Sequence, residues 1–208
     1  MTDYRDNNQV TVSGIACDYP EFSHEVYGER FYIFTLSVPR LSDASDNIKV
    51  IVSERLFGSR FEISPDVGIT VSGQFRSYNN YSGEGSRLIL TVFAKDIRLS
   101  EEEDMENPNK IFLDGYICKP PIYRVTPFGR EIADILIAVN RSYNKSDYIP
   151  AIAWGRNARF CQDIAIGTKI RIRGRIQSRE YQKHIDEDTV TTKTAYEVSI
   201  GKMEIADE

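Results

Sequence analysis

The chain has 208 residues, 41% hydrophobic and 27% charged, with a net charge of −5, which is ordinary for a soluble globular protein. No run approaches the ~18 apolar residues of a membrane helix, and Met1 to Asn8 lacks the apolar core of a secretory leader. The cysteines (Cys17, Cys118 and Cys161) are an odd, sparse set, which argues against a disulfide framework and for a reducing cytoplasm.

In chain order, the first half reads as strands at roughly 9–17, 31–39, 47–53, 67–78 and 86–99. Residues 100–109 are acidic, contain Pro108 and show no periodicity, so they read as a solvated linker. The second half predicts strands at Lys110–Cys118, Glu131–Asn140, Asp147–Trp154, Gly167–Tyr181 and Thr191–Ile205, with a short helix over Arg156–Asp163. Pro120-Pro121 and Thr126-Pro127-Phe128-Gly129 supply turn chemistry between the first two of these strands. In the fourth strand Ile170, Ile172, Gly174 and Ile176 alternate with Arg171, Arg173, Arg175 and Gln177. Period-two alternation places the first set in a core and the second outside.

The two halves are copies of each other. Val10–Pro20, Phe34–Arg40 and Val71–Ser77 recur as Ile111–Pro121, Ile135–Arg141 and Ile172–Ser178, all at an offset of 101 positions. Three blocks at one spacing mean one fold used twice. Five strands with a helix between the third and fourth fit the OB-fold, a small Greek-key barrel. The expected class is therefore all-β: two tandem five-stranded OB-fold barrels, each with one short helix between strands three and four. The divisions are 1–99, an acidic linker at 100–109, and 110–208. Cys17 and Cys118, repeat equivalents, read as packing residues on the first strand of each copy. Gly73 and Gly174 occupy the place where a barrel strand bends sharply.

The copies differ in charge and in aromatics. Residues 1–106 carry 10 Lys+Arg against 18 Asp+Glu, a net of −8, whereas residues 107–208 carry 16 against 13, a net of +3. On the outward strand faces of the second copy stand Tyr148, Trp154 and Tyr181, beside Arg175 and Arg179; the first copy has Asn47, Ser53 and Asn80 at the ring positions. A fold that tolerates Asn and Ser there does not need rings for its core. Flat π-faces beside cations suit single-stranded nucleic acid, whose bases stack and whose phosphates pair with positive charge. The face in the first copy reads as lost or changed, and its acidity predicts weak binding of phosphate.

Several motifs carry a family resemblance: Asn109–Gly115, Thr126–Gly129, Ile137–Tyr143, Asp147–Pro150, Ala153–Gly155 and Gly174–Tyr181. Residues 109–205 resemble bacterial single-stranded DNA-binding proteins, and the first copy resembles them only faintly. The resemblance implies base stacking on Tyr148, Trp154 and Tyr181, a further aromatic contribution from the Arg141–Tyr143 region, and backbone contacts from Arg175 and Arg179, with Arg156 as a further candidate. It implies a place in DNA replication, recombination or repair, a nucleoid-associated location in the cytoplasm, and a homodimer, since two chains would supply four barrels. Replication or recombination proteins are its expected partners. Members usually end in a Gly-rich segment and an acidic tip. Here the sequence runs out at Met203–Glu208, soon after the end of strand five, with the acid but neither the long linker nor an apolar tip.

No cofactor or metal is expected. Two separated histidines and no Cys-x-x-Cys pair give no zinc set, and no nucleophile or phosphate-loop motif appears, so the chain does not read as an enzyme. Two alternatives stand beside DNA binding: an OB-fold protein-interaction or primosome-type accessory module, and a single-stranded RNA binder, because stacking tolerates either sugar.

Overall fold

A computed structural model of the chain describes residues 6–57, 62–79, 88–184 and 190–206, without the side chains of several residues at the 181–193 hairpin. The first copy forms β1 (Asn8–Ala16), β2 (Glu21–Val26), β3 (Glu29–Pro39), β4 (Ser45–Ser53), β5 (Gly68–Asn79) and β6 (Leu88–Leu99). The second forms β7 (Asn109–Ile117), β8 (Ile122–Val125), β9 (Glu131–Arg141), β10 (Lys145–Trp154), α1 (Arg156–Cys161), β11 (Lys169–His184) and β12 (Val190–Ile205). All ten expected strands are present.

β2 and β8 were not expected. Each folds back on the next strand as an antiparallel hairpin. Residues 120–129 carry so many turn formers that the four-residue strand between them has no periodic signal of its own. The short helix between strands three and four is α1 in the second copy; at that place the described residues of the first copy form a 3-10 turn, Glu54–Leu56. The linker is less free than its composition suggests. Glu102–Met105 makes a 3-10 turn, Asp104 forms a two-pronged pair with Arg98, and Pro108 O accepts a bond from Ser13 N at 2.7 Å. The cysteine assignment also changes. Both first strands stop one residue short of it, leaving Cys17 exposed and Cys118 half-buried, its Sγ donating to Leu136 O.

Each barrel closes by the same pairings. In the first, β1 pairs antiparallel with β5 and β3, and β4 runs parallel to β6. In the second, β7 pairs with β11 and β9, and β10 runs parallel to β12. The alternation of β11 is as predicted: Ile170, Ile172 and Ile176 are buried, while Arg171 and Arg173 are exposed. Register shifts fall at Ser72/Gly73 and Arg173/Gly174. A Cβ at either glycine would collide with a carbonyl oxygen across the pair, of Phe93 or Ser199. These bulges let the longest strands turn the barrel corner.

The two barrels form one continuous sheet. β1 pairs antiparallel with β7, with Val10 opposite Ile111, Asn8 opposite Leu113 and Val12 opposite Asn109. Val10 and Ile111 are themselves repeat equivalents, so a local two-fold axis passes through that pair. The seam is reinforced within each barrel. Asn8 exchanges two bonds with the backbone of Phe75, and Asn109 exchanges two with Ile176. Each amide occupies backbone groups that the strand ladder leaves open at a buried place. Among the described residues no helix is long and apolar enough to cross a membrane.

Candidate nucleic-acid interface

β10 positions the first two rings. Its inward residues Ile149, Ala151 and Ala153 are at most 3% exposed, whereas Tyr148 and Trp154 on the other face are 47% and 37% exposed. The exposed Trp154 ring is held in place rather than loose: its Nε1 donates to Ser199 Oγ on β12 at 3.1 Å. Tyr148 is fixed through its backbone, whose N–H donates to Ser77 Oγ of the first barrel at 2.8 Å. Tyr181 lies on β11 opposite Lys193, and its side chain is outside the described residues.

Tyr143 sits in the tight turn joining β9 to β10. It and Asn144 adopt positive φ (62° and 53°), and the Tyr143 side chain is 94% exposed. Left-handed backbone is unusual for tyrosine; the turn presents this ring fully to solvent at the margin of the β10 face. Arg156 opens α1 and Arg179 lies on β11; both are exposed, and neither has an ion-pair partner among the described residues.

The other two arginines take part in contacts at the seam between the barrels. Arg141 donates to Asp147 at 3.1 Å, and Asp147, 1% exposed, also accepts from Ser77 N of the first barrel at 2.8 Å. The symmetric partner repeats this geometry. Arg40 makes a two-pronged pair with the fully buried Asp46, which accepts from Ser178 N of the second barrel at 2.7 Å. Arg175 completes that second clasp, its Nη1 3.3 Å from Asp46 Oδ2 and its Nη2 donating to Gln177. Arg141 thus braces, within its own barrel, the carboxylate that crosses the seam, and Arg175 reaches across the seam directly; their side chains stay 26% and 39% exposed. A buried carboxylate needs such partners to remain ionised. Burial pushes the Asp147 carboxyl above its usual range, against the pull of the Ser77 N–H and the Arg141 guanidinium.

The sequence contained a signal for these clasps. Arg40, Asp46 and Ser77 recur as Arg141, Asp147 and Ser178 at the repeat offset. Polar residues kept by both copies serve what both copies do, which is to join. The first barrel also carries rings that sequence reasoning passed over: His24, Phe31 and Phe93 on its outward face. Strand pairing, which composition does not reveal, brings them together. Among the described residues no group of three or more His, Cys, Asp or Glu could hold a metal.

The profile of the Single-strand binding protein family matches residues 108–206. The "Single-stranded DNA-binding protein B" of Bacillus subtilis is 32% identical over 84 residues, covering 36% of this chain and 72% of the relative. A "Single-stranded DNA-binding protein" of Clostridium tetani is 33% identical over 81 residues, covering 36% of this chain and 56% of the relative, so the match spans little more than half of that protein. The solved wild-type single-stranded DNA binding protein from Thermus aquaticus superposes with a TM-score of 0.76 at 19% identity, covering 97% of this chain and 93% of that one. At that identity the likeness concerns the fold, and it extends over both barrels and their arrangement. The stacked motifs of residues 109–205 and the profile match coincide, and the chain belongs to the single-strand binding protein family.

Proposed function

We propose that the chain binds single-stranded DNA with little sequence preference. Bases stack on Tyr148, Trp154 and Tyr181, with Tyr143 at the margin, and phosphates pair with Arg156 and Arg179. The observation that carries this reading is the placement of Trp154: a large ring on an outward strand face, oriented by Ser199, with the barrel core complete beneath it. Stacking on one such ring is worth roughly 1–3 kcal/mol per base. A strand contacting about 4–5 phosphates gives a log–log salt slope near −3 to −3.5.

Trp154 is the single tryptophan, so its fluorescence reports on the proposed platform. Oligo(dT) at low salt quenches it if the reading holds; unchanged emission at saturating oligonucleotide refutes it and favours the protein-interaction alternative. Competition with oligo(rU) of equal length separates DNA from RNA. A homodimer of four barrels fits the exposed apolar residues Tyr116, Ile122, Val125 and Phe128 on the second barrel, and light scattering at micromolar concentration tests it. Binding of this kind suits DNA replication, recombination or repair, and would keep the chain with the nucleoid.

A further inference from the structure

The outward face of the first barrel carries a continuous row of rings. His24 on β2 lies parallel to Phe31 on β3, with centroids 4.9 Å apart and planes at 9°. Phe31 meets Phe93 on β6 at 5.6 Å. The Arg76 guanidinium of β5 caps Phe93 at 4.0 Å from the ring centroid. β4 runs beneath this row, between β3 and β6, and its residue opposite Phe31 is Ser53.

Ser53 is the repeat equivalent of Trp154. In the second barrel Trp154 stands opposite Ile132, and Ser199 lies across the parallel pair in the place of Phe93. Large and small residues have therefore changed places on one lattice. One barrel puts a single ring on the middle strand and keeps its neighbours Ile132 and Ser199 low. The other keeps the middle strand low with Ser53 and leans two rings over it from either side. The first barrel thus carries its rings on the flanking strands, beside the position that Trp154 fills on the middle strand of the second.

Two further observations point to a ligand. Arg76 Nε and Thr91 Oγ1, on directly paired residues beside Phe93, are buried with no hydrogen-bond partner among the described residues. Such groups are costly unless something supplies an acceptor. Arg76 also supplies a positive charge at the row, while Lys49 is held by Asp18 at 3.9 Å and the Ser53 hydroxyl donates to Glu29.

We propose that His24, Phe31, Phe93 and Arg76 form a second stacking site for unpaired nucleobases, so that one strand of DNA engages both barrels. This rests on the DNA-binding reading of the second barrel, and the test separates the two. Two oligo(dT) probes are used with the full chain. One is about 8 nucleotides long; the other, about 32, can occupy two barrels at the roughly 4–16 nucleotides each takes. In the Phe31→Leu/Phe93→Leu variant, which keeps apolar volume, affinity for the longer probe should fall about tenfold or more, while quenching of Trp154 by the shorter probe stays unchanged. His24→Ala, at the end of the row, should lower it a few-fold. Undiminished affinity for the longer probe in the double variant would overturn the proposal. Photo-crosslinking of halogenated oligo(dT) to the unaltered chain is independent of any folding defect: adducts on peptides holding His24, Phe31 or Phe93 support the site, and adducts confined to the second barrel reject it. Absence of Trp154 quenching together with first-barrel adducts would instead sink the second-barrel reading, and with it the engagement of both barrels by one strand, leaving only a first-barrel stacking site.

Discussion

The two barrels share most of the polar residues that join them, Arg175 (Gln74 in the first copy) being an exception, and differ at the rings they turn to solvent. Asn8 and Asn109 hold equivalent backbone pairs, and Asp46 and Asp147 each reach across the seam to a serine N–H of the other barrel, with Arg40 and Arg141 as their counter-ions. On the outward faces, Ser53 answers Trp154 and Phe93 answers Ser199. The lesson is that agreement between copies marks the joint, and disagreement marks the surface open to other uses. Arg141, shared by both copies together with its carboxylate partner, serves the joint.

That contrast can be broken most directly at the seam. Asp147→Ala leaves Ser77 N–H and Arg141 without their acceptor at a buried place, and should cost about 3–5 kcal/mol in urea unfolding. Asp46→Ala, which also strands Arg40 and Arg175, should cost at least as much. Because both lie in one seam, the double variant should lose less than the sum; full additivity would show that the clasps act independently.

The faces are tested next. Trp154→Ala should weaken oligo(dT) binding by about 5- to 150-fold, the equivalent of ~1–3 kcal/mol per stacked base. Ser53→Ala, at the matching position, should leave the affinity within twofold, near ~0.4 kcal/mol or less. The arginines of β11 sharpen the distinction between joint and face. Arg179→Ala should reduce the magnitude of the salt slope by about 1 with little change in stability, whereas Arg175→Ala should leave the slope alone and lower the unfolding midpoint. Equal slopes for both variants would contradict the assignment of Arg175 to the clasp.

The smallest expected difference concerns the thiols. Burial pushes Cys161 up to about 11, and the group is fully enclosed. Cys17 is exposed, although partial burial and then the neighbouring Asp18 raise it too. A folded sample titrated with a thiol reagent near pH 8 should react first at Cys17, then at Cys118, and at Cys161 only on unfolding, because the thiolate is the reactive form.

Much of this molecule was legible in the sequence because the relevant signals are local. Alternation along β11 identified Ile170, Ile172 and Ile176 as core, and the offset of 101 identified two barrels. Tyr148 and Trp154 were separable from the core because Ile149, Ala151 and Ala153 occupy the opposite parity of one strand. β8 escaped because four residues between turn formers carry no period. The roles of Arg141 and Arg175 escaped because their partners, Asp147 with Ser77 and Asp46, belong to a contact between barrels.

The sequence alone determined the number of barrels, their class and the strand faces, since side-chain parity depends only on neighbours along the chain. Tertiary structure decided the rest. The pairing of β1 with β7 set which carboxylate met which arginine, and the order β2-β3-β4-β6-β5 gathered His24, Phe31, Phe93 and Arg76 from four strands onto one row. These groups lie up to about seventy residues apart, and only strand register, fixed by the whole fold, brings them within reach.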